Sequence, residues 1–265
     1  MLVTKQLLDE ALTHTFDMER FLGIDPMGLV YELREHTDNQ LDIELGALFT
    51  AMITWGNRKA IRTAVRHMLC DEMHWHPGEF ILSGAYQESY RTAKNNCVYR
   101  TLNVTAFKQV CRTVERALKG SEQEAQRVQE VQRGQVVQEV QRVTLEEMFR
   151  ERTIEEIIST LSQWLAPARL GTFGTSACKR ICMFLRWMIR RGTPDFGLWQ
   201  THNQNELYAV MDVHVCQLTE GLTGIHQASW KSCCRLTEIF RSWDSVDPLK
   251  YDIALMTVAD NVVEC

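Results

Sequence analysis

The chain has 265 residues, 45% of them hydrophobic and 24% charged, with a formal net charge of −5 and a mean hydropathy of −0.23. That length suffices for a sizeable core, and the composition excludes a disordered or membrane-spanning chain. The acidic balance excludes a uniformly basic nucleic-acid binder, so any such role requires a local basic patch.

Met1 to His14 is charged and amphipathic, without the apolar core of a signal peptide. With nine cysteines, this predicts a soluble, cytoplasmic protein in a reducing setting. Five prolines and long 3.6-residue periodicities predict an all-α fold. Leu41, Leu45, Leu48, Met52 and Trp55 make the first apolar stripe, ending at Gly56. Gly56 to Cys70 has no Asp or Glu but carries Arg58, Lys59, Arg62 and Arg66. Lys119 to Val143 holds Val-Gln-Glu-Val-Gln-Arg twice, at 128–133 and 137–142. Two copies with so little apolar content cannot build a solenoid, so residues 119–143 are expected to be an exposed or disordered insertion. Thr144-Leu145-Glu146-Glu147 then has the pattern of a capping box.

Ile157 to Pro194 is again free of acid and contains Arg169, Lys179, Arg180, Arg186, Arg190 and Arg191. Its apolar stripe runs through Ala177, Ile181, Phe184, Leu185 and Met188, stopped by Gly192 and Pro194. A third stripe, Cys233, Leu236, Ile239 and Phe240, precedes a turn at Asp247-Pro248.

The chemistry concentrates at Lys179 and Asp212. Lys179 follows the Gly174-Thr175 turn, and Thr175 or Ser176 can cap the helix it opens. Such a terminus presents open amides and a positive dipole end, so Gly174, Thr175 and Ser176 are expected to hold a DNA phosphate. Helical spacing puts Lys179, Met183, Arg186 and Arg190 on one face. Arg58, Lys59, Arg180 and Arg186 are expected to supply positive field to DNA. Asp212 follows the polar run Thr201 to Asn205 and precedes a helical stretch, Val213 to Leu222. A carboxylate there could stabilise positive charge developing at a sugar C1′, and a lysine amine could trap that carbon covalently. Reaching a base inside a duplex costs on the order of a few kcal/mol for flipping it out. Trp55 and Asn57 are candidates for stacking on the base or wedging into the gap.

Each residue also has a plainer reading. Lys179 can be a solvated surface lysine, Asp212 only a helix cap, and Trp55 a core residue. His214, between Val213 and Val215, reads as structural. Cys178 and Cys182 have no second pair at metal spacing, and Cys233-Cys234 read as buried thiols, so neither metal nor cofactor is expected.

Several blocks together resemble an uncharacterised bacterial family known as a conserved domain of unknown function. They are Asp42-Ile43-Glu44, Trp55-Gly56-Asn57-Arg58-Lys59, Tyr99-Arg100-Thr101-Leu102-Asn103, Ser176-Ala177-Cys178-Lys179-Arg180, Met183-Phe184-Leu185-Arg186-Trp187-Met188, Met211-Asp212-Val213-His214-Val215 and Asp247-Pro248-Leu249-Lys250-Tyr251-Asp252. The resemblance runs from Asp25 to Leu255, outside the repeat insertion. More distantly, it extends to the helix-hairpin-helix base-excision glycosylases, which carry a hairpin lysine and a later aspartate in a Val-Asp-Val-His-like segment. The matching positions are Lys179 and Asp212, 33 residues apart, an interval similar to that of the archaeal 8-oxoguanine glycosylase branch.

That resemblance implies two helical subdomains within residues 1–265 flanking a DNA-binding cleft. It also implies a monomeric DNA glycosylase, with a possible lyase step, acting on a damaged purine such as an oxidised guanine. Two departures stand out. Leu170-Gly171-Thr172-Phe173-Gly174 differs from the superfamily's Leu-Pro-Gly-x-Gly hairpin, and Gln217 replaces a basic residue often found after the aspartate. The alternatives are a non-catalytic nucleic-acid-binding module on the same fold and a helical protein-interaction scaffold.

Overall fold

The computed structural model describes residues 3–133 and 143–263. Its α-helices are α1 (Lys5–Thr13), α2 (Met18–Ile24), α3 (Met27–His36), α4 (Gln40–Met52), α5 (Arg58–Arg66), α6 (Pro77–Leu82) and α7 (Val104–Arg133). They continue with α8 (Leu145–Phe149), α9 (Ile154–Trp164), α10 (Lys179–Ile189), α11 (Val213–Thr223), α12 (Trp230–Trp243) and α13 (Lys250–Val263). Strand among the described residues is confined to an antiparallel ribbon, β1 (Cys97–Tyr99) with β2 (Leu102–Asn103), so the chain is all-α as its periodicities predict. No helix among the described residues is long and apolar enough to cross a membrane. The chain divides into two compact units. One comprises Arg20–Arg152 and Trp164–Arg169, the other Met1–Glu19, Thr153–Gln163 and Leu170–Cys265.

In the first of these units α4 is the centre, buried from Leu41 to Met52. Full burial would strand its two carboxylates unless each found donors. Both do, at the starts of other helices. Glu44 accepts from the amides of Leu145 (2.6 Å) and Glu146 (3.1 Å) at the N-terminus of α8. Asp42 accepts from the Gly78 amide at 2.7 Å, in the first turn of α6, and from the Thr37 hydroxyl at 2.9 Å. The α8 terminus also has the capping box read from its sequence, Thr144 with Glu147. The Asp42-Ile43-Glu44 block therefore has a structural role, satisfying amides that two helices cannot satisfy themselves.

The repeat segment divides. Its first copy, 128–133, continues the backbone of α7, while the second, 137–142, lies outside the described residues. Trp55 departs from its predicted stripe. The helix stops at Met52, and Trp55 stands beyond it, half-buried, with its ring edge-on to Tyr99 at 5.2 Å.

In the other unit α10 is central, burying every residue from Ile181 to Ile189 except Met183. Its C-terminal carbonyls are taken by the loop that follows. Phe196 and Gly197 donate to Trp187 O, and Trp199 donates to Met188 O. Helix α12 buries Cys233, Leu236 and Phe240 of its predicted stripe. Cys234 is only half-buried, because it sits one residue off that face. Helix α13 packs on α1, where the Tyr251 hydroxyl meets Asp9 at 3.1 Å.

Candidate functional site

The strongest candidate lies wholly within this second unit. Lys179 is the first residue of α10, and Asp212 is the N-cap of α11. Their side chains meet, with Lys179 Nζ 2.7 Å from Asp212 Oδ2. The other carboxylate oxygen, Oδ1, accepts from the Val215 amide at 2.8 Å and caps α11. The N-cap reading of Asp212 and its juxtaposition with Lys179 are thus two halves of one arrangement.

Lys179 is 36% exposed at its side chain and Asp212 26%. A pair this open contributes about 0–1 kcal/mol to stability, so solvent and a ligand can both reach it at little cost to the fold. Burial pushes the Asp212 carboxyl up. The Lys179 ammonium, the hydrogen bond to it, the Val215 amide and nearby His214 outweigh that effect and hold it below the ordinary aspartate value. Asp212 is therefore an ionised carboxylate at neutral pH, the form that can stabilise a developing cation.

The approach to Lys179 differs from the sequence expectation. Thr175 and Ser176 do not cap α10. The N-cap is Cys178, buried and in the left-handed conformation (φ 48°, ψ 32°), with no side-chain cap. The hairpin closes on itself, with the Thr175 and Ser176 amides both directed at Thr172 O (3.3 and 2.9 Å). Those two amides are thus already engaged, and Gly174 stands exposed at φ +87° as the turn's apex. Gly171 is needed at φ +96°, since a Cβ there would lie 2.3 Å from Ser176 Oγ. The hairpin is anchored through Phe173, whose ring meets Trp230 edge-on at 4.8 Å, and through Thr175 O, which accepts from the Trp230 amide at 3.3 Å.

Arg186 is a correction. Its position two turns beyond Lys179 suggested a phosphate contact, but it is 3% exposed, with Nε 3.2 Å from Asp195 Oδ1. Arg190 is buried too, held by Asp195 and in a two-pronged pair with Asp247. Helix α10 runs from the surface into the core, so one face changes environment along its length. Arg180, by contrast, is half-buried beside Lys179, and burial pulls its guanidinium below the ordinary arginine value. His214 is exposed at the start of α11, as is Val213 (60%), and neither serves the core.

The remaining candidates belong to the first unit. Asn57 is the N-cap of α5, accepting from the Ala60 amide at 3.2 Å. The Trp55 carbonyl accepts from the Tyr99 hydroxyl at 2.8 Å. Arg58 and Lys59 are exposed on the first turn of α5 and line a cavity of about 890 Å³ together with Arg62, Thr63 and Arg66. Arg62 is committed to the carbonyls of Leu22 and Asp25, and Arg66 to Glu32.

Sequence reasoning missed Asp195 and Asp252 as partners of the buried arginines, and nothing local to either residue signals such pairing. Among the described residues no cluster of three or more His, Cys, Asp or Glu is arranged to hold a metal ion. No curated protein and no solved structure matches the chain. Residues 25–260 match a family described as a protein of unknown function, DUF2400, and the chain belongs to that family.

Proposed function

We propose that this protein is a DNA N-glycosylase with an associated lyase step, acting on a damaged purine such as an oxidised guanine. We place it on a helix-hairpin-helix glycosylase-like fold, working as a cytoplasmic monomer. The observation that carries the reading is the 2.7 Å approach of Lys179 Nζ to Asp212 Oδ2. An amine and an ionised carboxylate joined across two helix starts, and open to solvent, supply the two groups this chemistry needs.

In the proposed reaction Asp212 faces the sugar and stabilises positive charge at C1′ as the bond to the base lengthens. Lys179 passes its ammonium proton to the departing base, which leaves with the glycosidic electron pair, and the freed amine bonds to C1′. A proton then moves from the attached nitrogen to the ring oxygen, and the sugar ring opens to a Schiff base. Loss of a C2′ proton breaks the 3′ C–O bond by β-elimination, with the 3′ phosphate as leaving group. Arg180, Arg58 and Lys59 are the proposed phosphate contacts, with Gly174 at the hairpin apex. Trp55 and Asn57 remain the proposed base-side residues.

A second reading has one observation in its favour. Lys179 is engaged in an ion pair, and a non-catalytic nucleic-acid-binding module would have no need to release it. Direct assay of base release from duplexes carrying oxidised and alkylated purines separates the two. The enzyme reading expects release from at least one lesion. Release from none, with binding that weakens steeply as salt rises, supports the binding module instead.

A further inference from the structure

Lys179 and Asp212 sit on different elements, and one buried carboxylate touches both. Asp212 ends an extended segment that begins at Leu207. Helices α12 and α13 hold that segment by its backbone. The Ala209 amide donates to Thr237 Oγ1 (2.9 Å), the Cys233 thiol donates to the Ala209 carbonyl (3.2 Å), and the Val210 amide donates to Asp252 Oδ2 (3.0 Å). The same Asp252 oxygen lies 3.8 Å from Arg186 Nη1 on α10, the helix that Lys179 opens.

This carboxylate is an expensive component. Arg186 and Arg190 supply two positive charges, while Asp195, Asp247 and Asp252 supply three negative ones. Burial pushes the Asp252 carboxyl up to about 6, against the opposing pull of Arg186 and the Val210 amide. A neutral or apolar group in such a place is often no less stable than the charge. What the carboxylate adds is a connection from α10 through Arg186 and Asp252 to Val210, two residues before Asp212.

We infer that Asp252 is a positioning residue for the Lys179–Asp212 pair, tying the segment that carries the carboxylate to the helix that carries the amine. The inference rests on reading that pair as the working site, but its test does not. The charged and titratable groups facing Asp252 are Arg186, Arg190 and Cys182 from α10 and Asp195 from the loop after it. Those facing Asp212 are Lys179 from α10 and His214 and Cys216 from α11.

Asp252 could influence Asp212 by charge or by position. Its carboxyl, raised to about 6, is already neutral where Asp212 titrates, so removing it leaves the Asp212 pKa unchanged by electrostatics alone. Loosening the pair raises it, toward the ordinary aspartate value of about 3.9. The experiment is a carbon-13 titration of the Asp212 carboxyl in the full chain, in wild type, Asp252→Ala and Asp252→Leu. The leucine variant fills the space and serves where the alanine variant does not fold. The expected result is an upward shift in either variant, with Asp252→Asn, which keeps an acceptor for Val210, returning the value toward wild type. An unchanged or lowered Asp212 pKa in the folded alanine or leucine variant overturns the inference. No substrate is involved, so a failed glycosylase reading leaves this result interpretable. Where base release is observed, these variants lose kcat with KM unchanged.

Discussion

Asp212→Asn slows base release by about 10²–10³-fold, the usual effect of removing one preorganised electrostatic stabiliser from a reacting centre. The protein nonetheless stays folded. Asparagine is as good an N-cap as aspartate, so the Val215 amide keeps an acceptor and α11 keeps its start. The ion pair that disappears is open to solvent and contributes about 0–1 kcal/mol. The measurement is single-turnover base release on the best lesion, with a thermal melt of the same preparation. Near-normal turnover with an unchanged melt reduces Asp212 to a helix cap.

Glu44→Ala has the largest expected effect on stability, a loss of about 3–5 kcal/mol. Two causes act together. The amides of Leu145 and Glu146, both buried residues, lose the acceptor they share. A space also opens in the most buried helix of the unit, where Glu44 is 0% exposed. At roughly 2–4 °C per kcal/mol for a chain near this size, the melting transition should fall by about 6–20 °C. A fall of less than about 2 °C would contradict the role assigned to the Asp42-Ile43-Glu44 block, since it corresponds to about 1 kcal/mol or less.

Much of this was legible in the sequence where one local cause decides the outcome. Apolar residues at helical spacing marked α4, α10 and α12, and Thr144 with Glu147 marked the start of α8. Asp212 was readable as a cap because an aspartate before an apolar helical stretch has an amide to accept. What failed depends on partners remote in the chain. Arg186 shares a helix face with Lys179, but its environment is set by Asp195 and Asp252. The start of α10 was placed too early because Ser and Thr are the usual caps, while the chain uses Cys178 in a left-handed turn that cysteine gives no hint of. Trp55 continued the apolar period, but α4 ends three residues before it.

The central claim is that Lys179 is a nucleophile, and borohydride trapping on a panel of lesion-containing duplexes tests it most directly. The account predicts a covalent protein–DNA adduct on at least one damaged purine with the wild-type chain, and none with Lys179→Ala, whose DNA affinity stays largely intact. An adduct retained by Lys179→Ala, or no wild-type adduct on any lesion despite intact binding, contradicts it.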